Sequence, residues 1–100
     1  MIVVNDFYFN IEIESVKFKE VSTQTNRDKK LFNIDITFKN NSDAEDIYKF
    51  IMLQTLNKKD LYIEIVNDKG RCVLNDLTLT GINYNDLKFQ SYNSYPNVAI

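Results

Sequence analysis

Apolar and polar residues alternate along most of this chain. That two-residue period confines it to a sheet-based fold, because successive side chains of a strand point to opposite faces. Phe32, Ile34, Ile36 and Phe38 alternate with Asn33, Asp35, Thr37 and Lys39. Phe7, Phe9, Ile11 and Ile13 alternate in the same way with Tyr8, Asn10, Glu12 and Glu14. The apolar parity then moves to Val16 and Phe18, and a bulge or sharp bend near Glu14-Ser15 accounts for the switch, since one extra residue reverses the facing. The polar stretch STQTNRDKK reads as a hairpin loop, so these two runs pair antiparallel as the first and second strands.

The period changes in NNSDAEDIYKFIMLQTLNKKD. Ala44, Ile47, Phe50, Ile51 and Leu53 recur at helical spacing, with Tyr48 and Met52 widening the stripe. Ser42-Asp43-Ala44-Glu45 reads as a capping box, Asp43, Glu45 and Asp46 suit the positive end of a helix dipole, and Lys58 and Lys59 close the helix. A helix is therefore expected at about 43–57.

Alternation returns afterwards. Leu61, Ile63 and Ile65 form a strand, Asn67-Asp68-Lys69-Gly70 a turn, and Cys72 and Leu74 share a parity that passes to Leu77 and Leu79 and back to Ile82 and Tyr84. Asn75-Asp76 and Gly81 stand at the two switch points and read as bulges in one long, bent strand. Asn85-Asp86 reads as a two-residue hairpin turn leading to Leu87, Phe89 and Ser91. The expected fold is α+β and β-rich: a bent antiparallel sheet, or a small open barrel or sandwich, of about five strands, with the one helix between strands 2 and 3. A chain of 100 residues makes one domain, 1–100, with a core large enough to stand without staples.

Composition narrows the chemistry. There is no histidine, so no imidazole base and no Ser-His-Asp or Cys-His pair. Cys72 is the only cysteine, which excludes an intramolecular disulfide, and with Arg71 pointing to the opposite strand face it reads as a buried, inert thiol. Two glycines leave no phosphate-cradling loop. Asp43, Glu45 and Asp46 lack calcium-loop spacing. Glu12 and Glu14, two residues apart on one strand face, with Glu64 across a sheet, form an acid/base pair on one reading and a solvated face on the plainer one. No enzymatic activity, metal or cofactor is expected. The net charge of −2 argues against non-specific nucleic-acid binding, with Arg27-Asp28-Lys29-Lys30 and Lys58-Lys59 read as a solvated turn and a helix end. MIVV is too short for a leader and no run approaches a membrane span, so synthesis in the cytoplasm is expected, with incorporation into a particle open. Thirteen Asn, eleven Ile and ten Lys fit an AT-rich genome, as in low-GC bacteria and their phages.

Two features stand out from this background. Both ends are apolar or aromatic: Met1-Ile2-Val3-Val4 at the start, and Phe89, Tyr92, Tyr95, Pro96, Val98 and Ile100 in KFQSYNSYPNVAI at the end. They either complete the home sheet or act as arms that add a strand to a neighbour. A sheet this rich in Ile, Phe and Tyr also needs its edges protected by charge or paired with another chain. The order of elements, with FYFNIEIESVKF and LFNIDITF before the helix DAEDIYKFIMLQTL and the meander LYIEIVNDKGRCVLNDLTLTGINY after it, resembles small β-rich structural proteins of phage tails and baseplates. Members of that family join sheets between copies into rings or sleeves, although tube-forming members are longer than this chain. The resemblance implies a non-catalytic structural protein whose partners are copies of itself or other subunits. Ile2, Val4, Tyr92, Tyr95, Val98 and Ile100 are the expected contact residues. The competing reading is a small acidic inhibitor, an immunity or anti-defence protein presenting Glu12, Glu14, Asp35 and Glu64 to a basic enzyme site. A carbohydrate- or nucleotide-binding module using exposed tyrosines has no spacing to support it.

Overall fold

The computed structural model describes residues 1–21, 31–68 and 70–91, and the backbone of 97–98. The chain runs β1 (Ile2–Val4), β2 (Phe7–Phe9), β3 (Ile13–Val21), β4 (Leu31–Phe38), α1 (Asn41–Leu56), β5 (Leu61–Asn67), β6 (Gly70–Asn83), β7 (Asp86–Ser91) and β8 (Asn97–Val98). Seven strands form one antiparallel sheet in the order β2-β1-β5-β6-β7-β4-β3. β8 pairs with Cys72 and Val73 of β6, whose Val73 is also paired with Glu64 of β5, so β8 lies along the other edge of β6.

This corrects the expectation of about five strands with the helix between the second and third. The helix follows β4, and the described residues form eight strands. Two local causes account for most of the difference. Asn5 (φ 46°) and Asp6 (φ 73°) are both left-handed, which makes a two-residue hairpin turn and folds Ile2–Val4 onto Phe7–Phe9. The run from Phe7 to Ile13 is then interrupted at Asn10-Ile11-Glu12, where the chain leaves one half of the sheet for the other. Only the part from Ile13 onward pairs with β4, in register Ile13↔Phe38 to Val21↔Leu31. The loop between β3 and β4 lies outside the described residues.

The long bent strand is present as read. β6 extends over 14 residues and belongs to both halves. Its first part pairs with β5 and its second with β7. Between Ile63↔Leu74 and Leu61↔Leu77, three steps along β6 face two along β5, and Asp76 sits there at φ 50°. A second extra residue lies between Leu79↔Phe89 and Gly81↔Lys88. A third bulge, between Ile13 and Ser15, makes the parity switch read near Glu14. The first and third turn the apolar side chains back toward the same core while bending the strand, whereas beyond the second Ile82 and Tyr84 stay exposed. The β6–β7 turn is at Tyr84 (φ 56°) and Asn85, one residue earlier than expected, closed by Asn83↔Asp86. Asn85 is committed elsewhere: its Nδ2 donates to the carbonyl of Phe38 at 2.8 Å, and its own carbonyl accepts from the Phe38 N–H at 2.9 Å.

α1 starts earlier than expected. Asn40, not Ser42, is the N-cap, without a side-chain bond to the helix backbone; its Nδ2 reaches the carboxylate of Asp43 at 3.3 Å. The C-terminus closes with Lys58 left-handed (φ 57°), the Lys58 N–H donating to the carbonyl of Thr55 and the Lys59 N–H to that of Gln54. That pair of bonds is the Schellman arrangement, with lysine where glycine fits most easily. The helix buries Ala44, Ile47, Ile51 and Gln54, and packs on β4, β5 and β7, so it covers both halves of the sheet. Beneath it lie Ile34, Ile36 and Phe38 of β4, Ile63 and Ile65 of β5, Leu74 of β6, and Leu87 and Phe89 of β7, all at 2% exposure or less. Each such side chain contributes roughly 1.5–3 kcal/mol relative to exposure.

Asn5 links three elements. Its backbone N–H donates to the carbonyl of Tyr62, its Oδ1 accepts from the Tyr62 N–H at 2.8 Å, and its Nδ2 donates to Oε1 of the buried Gln54 at 3.2 Å. Asn5→Ala removes two of these bonds and puts alanine at a positive φ; denaturant unfolding is expected to show a loss of about 2 kcal/mol. Lys58→Gly relieves the left-handed lysine, and the same measurement is expected to show a gain of about 1 kcal/mol.

Candidate protein interface

A sheet has two outer edges, and here they differ. β2 offers three residues. β3 offers nine, and no strand among the described residues pairs with its outer side. Val16 and Phe18 are half-buried against the core, while Lys17 and Lys19 stand exposed on the other face. That face is polar in rows across the sheet: Lys17, Asp35 and Lys88 in one, Lys19, Asn33, Gln90 and Thr78 in the next. Lys88 bridges to Asp35 at 3.3 Å and the Gln90 amide donates to Asn33 at 3.0 Å, while neither Lys17 nor Lys19 has a carboxylate partner among the described residues. The edge therefore has no strand partner among the described residues, and two exposed cations flank it.

The expected contact residues are placed differently from one another. Ile2 and Val4 are fully buried, Ile2 paired with Phe9 and Ile65, Val4 with Phe7 and Ile63. They belong to the home core and present no surface to a partner. The start of the chain is tied down further: the Met1 amine donates to the carbonyl of Val66, and the Val66 N–H to that of Met1, both at 3.0 Å. Val98 lies in β8, its backbone paired with Cys72. Tyr92, Tyr95 and Ile100 lie outside the described residues.

The acidic residues do not form one face. Glu12 precedes β3 and bridges to Lys39 at 3.1 Å; Glu14 is in the bulge; they do not sit two apart on a regular strand. Glu64, in the other half of the sheet, receives the Arg71 Nε–H at 2.7 Å and the Tyr62 hydroxyl at 3.1 Å. Of the four carboxylates proposed for an inhibitor, Glu12, Asp35 and Glu64 each have a cation beside them within the chain. The Arg71 hydrogen bond, with help from Tyr62, holds Glu64 below its ordinary value of 4.5 against the opposing effect of burial. Cys72 is completely buried, and burial pushes its thiol up to about 11, so it stays protonated at neutral pH. Among the described residues no three His, Cys, Asp or Glu side chains gather into a metal-binding group.

The sequence reading missed an apolar surface. Leu53 belonged to the expected buried stripe, but it is 57% exposed, and Leu56 is 72% exposed. Phe50 turns toward the β1–β2 hairpin instead, meeting Phe7 and Phe9 edge-on with ring centroids 5.0 and 5.2 Å away. Phe7 itself remains half exposed. The available signal was the spacing Phe50-Leu53-Leu56, a second apolar line beside Ala44-Ile47-Ile51.

Comparison with protein-family models, characterised proteins and solved structures finds no match. No helix among the described residues is long and apolar enough to cross a membrane.

The Glu64 contact has a pH signature. A carboxylate held below its ordinary value in the folded state stabilises the fold above 4.5, and that contribution fades as pH falls through the lowered value. Thermal melts are expected to show wild type above Glu64→Gln at pH 6–7, with the gap closing below pH 4.5.

Proposed function

We propose that this chain is a non-catalytic structural protein that joins another subunit by continuing its sheet across the outer edge of β3. The observation that carries this reading is the nine-residue edge strand that no other strand among the described residues pairs on its outer side, in a sheet whose other edge has three residues. Backbone hydrogen bonds across such an edge supply affinity, and alternate side chains supply choice of partner. Lys17 and Lys19 make the choice here. A second β3 laid antiparallel would oppose lysine to lysine, whereas a strand with Asp or Glu at alternate positions meets them with opposite charge. The C-terminal segment, with Tyr92, Tyr95, Val98 and Ile100, is a second contact in this reading. A phage-like particle, with synthesis in the cytoplasm followed by incorporation, is the setting that the resemblance of the sequence suggests for such a subunit.

The buried thiol and the cation-paired carboxylates favour binding over bond-making at the surfaces described. The inhibitor reading loses its acidic face to Lys39, Lys88 and Arg71.

The test compares backbone amide hydrogen exchange in the isolated chain and in the chain purified with its native neighbours. Residues 13–21 are expected to exchange more slowly in the assembly, and the double variant Lys17→Glu, Lys19→Glu to bind its neighbours about tenfold more weakly, from two cross-strand charge pairs of roughly 0.5–1 kcal/mol each. Equal exchange of β3 in both states would remove the proposal.

A further inference from the structure

We propose that the outer face of β3, β4, β7 and β6 binds a phosphorylated sugar, with the phosphate on Lys17 and Lys19 and the hydroxyls on the Lys88–Asp35 pair, Asn33 and Thr80. A cleft of about 560 Å³ opens on this face, within the size range of small-molecule sites. Three lysines and one aspartate line it, in a chain whose net charge is −2. The strand register explains why they converge. Lys17, Asp35 and Lys88 are paired in one row across the sheet, and directly paired residues share a face. Lys19 follows Lys17 by two residues, so it takes the same face about 7 Å away, close enough for two flexible ammonium groups to share one phosphate. Lys88 stands two strand spacings from Lys17, about 10 Å, which one hexose phosphate spans.

The second part of β6 keeps the far end of the cleft open. Gly81 ends the row, paired with Lys88. Its φ is not positive, and a Cβ there would meet nothing within 4 Å, so neither backbone conformation nor packing requires glycine. The missing side chain leaves bare space beside Lys88, as glycine in a strand does where a ligand approaches the backbone. Thr80, the extra residue of the bulge just before it, joins the lining, because a bulge re-aims a side chain.

Chemistry selects the ligand. Lys17 and Lys19 have no carboxylate partner among the described residues, and paired ammonium groups suit a dianionic phosphate. Asp35 only accepts hydrogen bonds, so it disfavours a second phosphate but takes a sugar hydroxyl. Lys88 gives one donor to Asp35 at 3.3 Å and keeps two. The Gln90 amide donates to the Asn33 oxygen at 3.0 Å, which leaves the Asn33 NH₂ group for a further hydroxyl. The aromatic rings among the described lining residues, Phe18 and Phe89, pack on the core, so this face has no platform on which to stack a nucleobase.

Titration of the full chain with glucose 6-phosphate, followed by amide chemical shifts, tests the site. Binding is expected at about 0.1–1 mM in low salt, with shifts confined to β3, β4, β7 and the second part of β6. Lys88→Ala removes a donor and leaves Asp35 uncompensated, and is expected to weaken binding about fivefold. Gly81→Leu fills the far end and is expected to weaken it about tenfold. Both variants are expected to keep the wild-type thermal melt; if Gly81→Leu melts lower, Lys88→Ala decides alone. Lys88 and Gly81 lie away from the β3 edge, so neither variant is expected to alter exchange of residues 13–21 in the assembly. The site and the proposed edge contact, which share Lys17 and Lys19, therefore fail separately. No binding at about 10 mM, or binding that Lys88→Ala leaves unchanged, overturns the proposal. Inorganic phosphate that binds as tightly as glucose 6-phosphate overturns the sugar half of it, and a short oligothymidylate that binds more tightly overturns the ligand class.

Discussion

The bend in β6 is the constraint on which the rest of the structure depends. One strand of 14 residues is shared by two half-sheets, β5 on one part and β7 on the other. A straight strand of this length would make a flat sheet with one face too wide for a single helix to cover. The extra residue at Asn75-Asp76, with Asp76 left-handed, turns the strand where the ladder passes from β5 to β7. Aspartate tolerates that conformation better than most residues, so the strain is below the 1–2 kcal/mol of a generic side chain. The Ser91 hydroxyl donates to the Asn75 carbonyl across the bend at 3.3 Å, fixing the end of β7 against it. With the halves turned toward one another, α1 touches β5 on one side and β4 and β7 on the other, and Ala44, Ile47 and Ile51 close a single core.

The same bend decides what remains at the margins. Folding the sheet around one helix commits the inner faces of both halves and leaves β2 and β3 as its ends. β2 is short and pinned through Phe7 and Phe9 to Phe50, so its hairpin acts as a clip on the helix. β3 is long, because it forms the whole length of a hairpin with β4. Lysines on its outward face are a usual protection of such an edge against indiscriminate pairing. In the proposed assembly protection and selectivity would be the same device, since a charge that repels a like edge attracts an acidic one.

Much of this was legible in the alternation of residues. β4, β5 and the parity switches at Glu14 and Asn75-Asp76 follow from side chains that must face one core, and the structure puts a bulge at each. Alternation reports which face a residue takes; it does not report which half of a bent sheet a strand joins. For that reason Phe7–Ile13 read as one strand, although the chain changes halves at Asn10–Glu12. Ile2–Val4 shows no alternation because all three residues are buried, and the turn before Phe7 was visible only as a fourth Asn-Asp pair, at Asn5-Asp6. Helical spacing likewise located α1 but assigned Leu53 to the wrong side, because the β1–β2 hairpin draws Phe50 away from the main stripe. The free edge of β3 is a property of strand order, and strand order is set by long-range pairing that no local pattern encodes.

Scarcity of glycine lowers the margin of stability of this fold. With two glycines in the chain, turns and caps fall to Asn5, Asp6, Lys58, Asp76 and Tyr84 at positive φ. Asn and Asp bear this cheaply, whereas Lys58 and Tyr84 carry a larger strain, on the order of 1–2 kcal/mol each. Domains of this size have net stabilities of only about 5–15 kcal/mol, so strain of that size is a sizeable fraction of the margin. A partner strand on β3 of the kind proposed would bind the folded state alone and add stability in proportion to the logarithm of its concentration. Leu53 and Leu56, 57% and 72% exposed, add little to the core, so the margin rests on the side chains buried beneath α1.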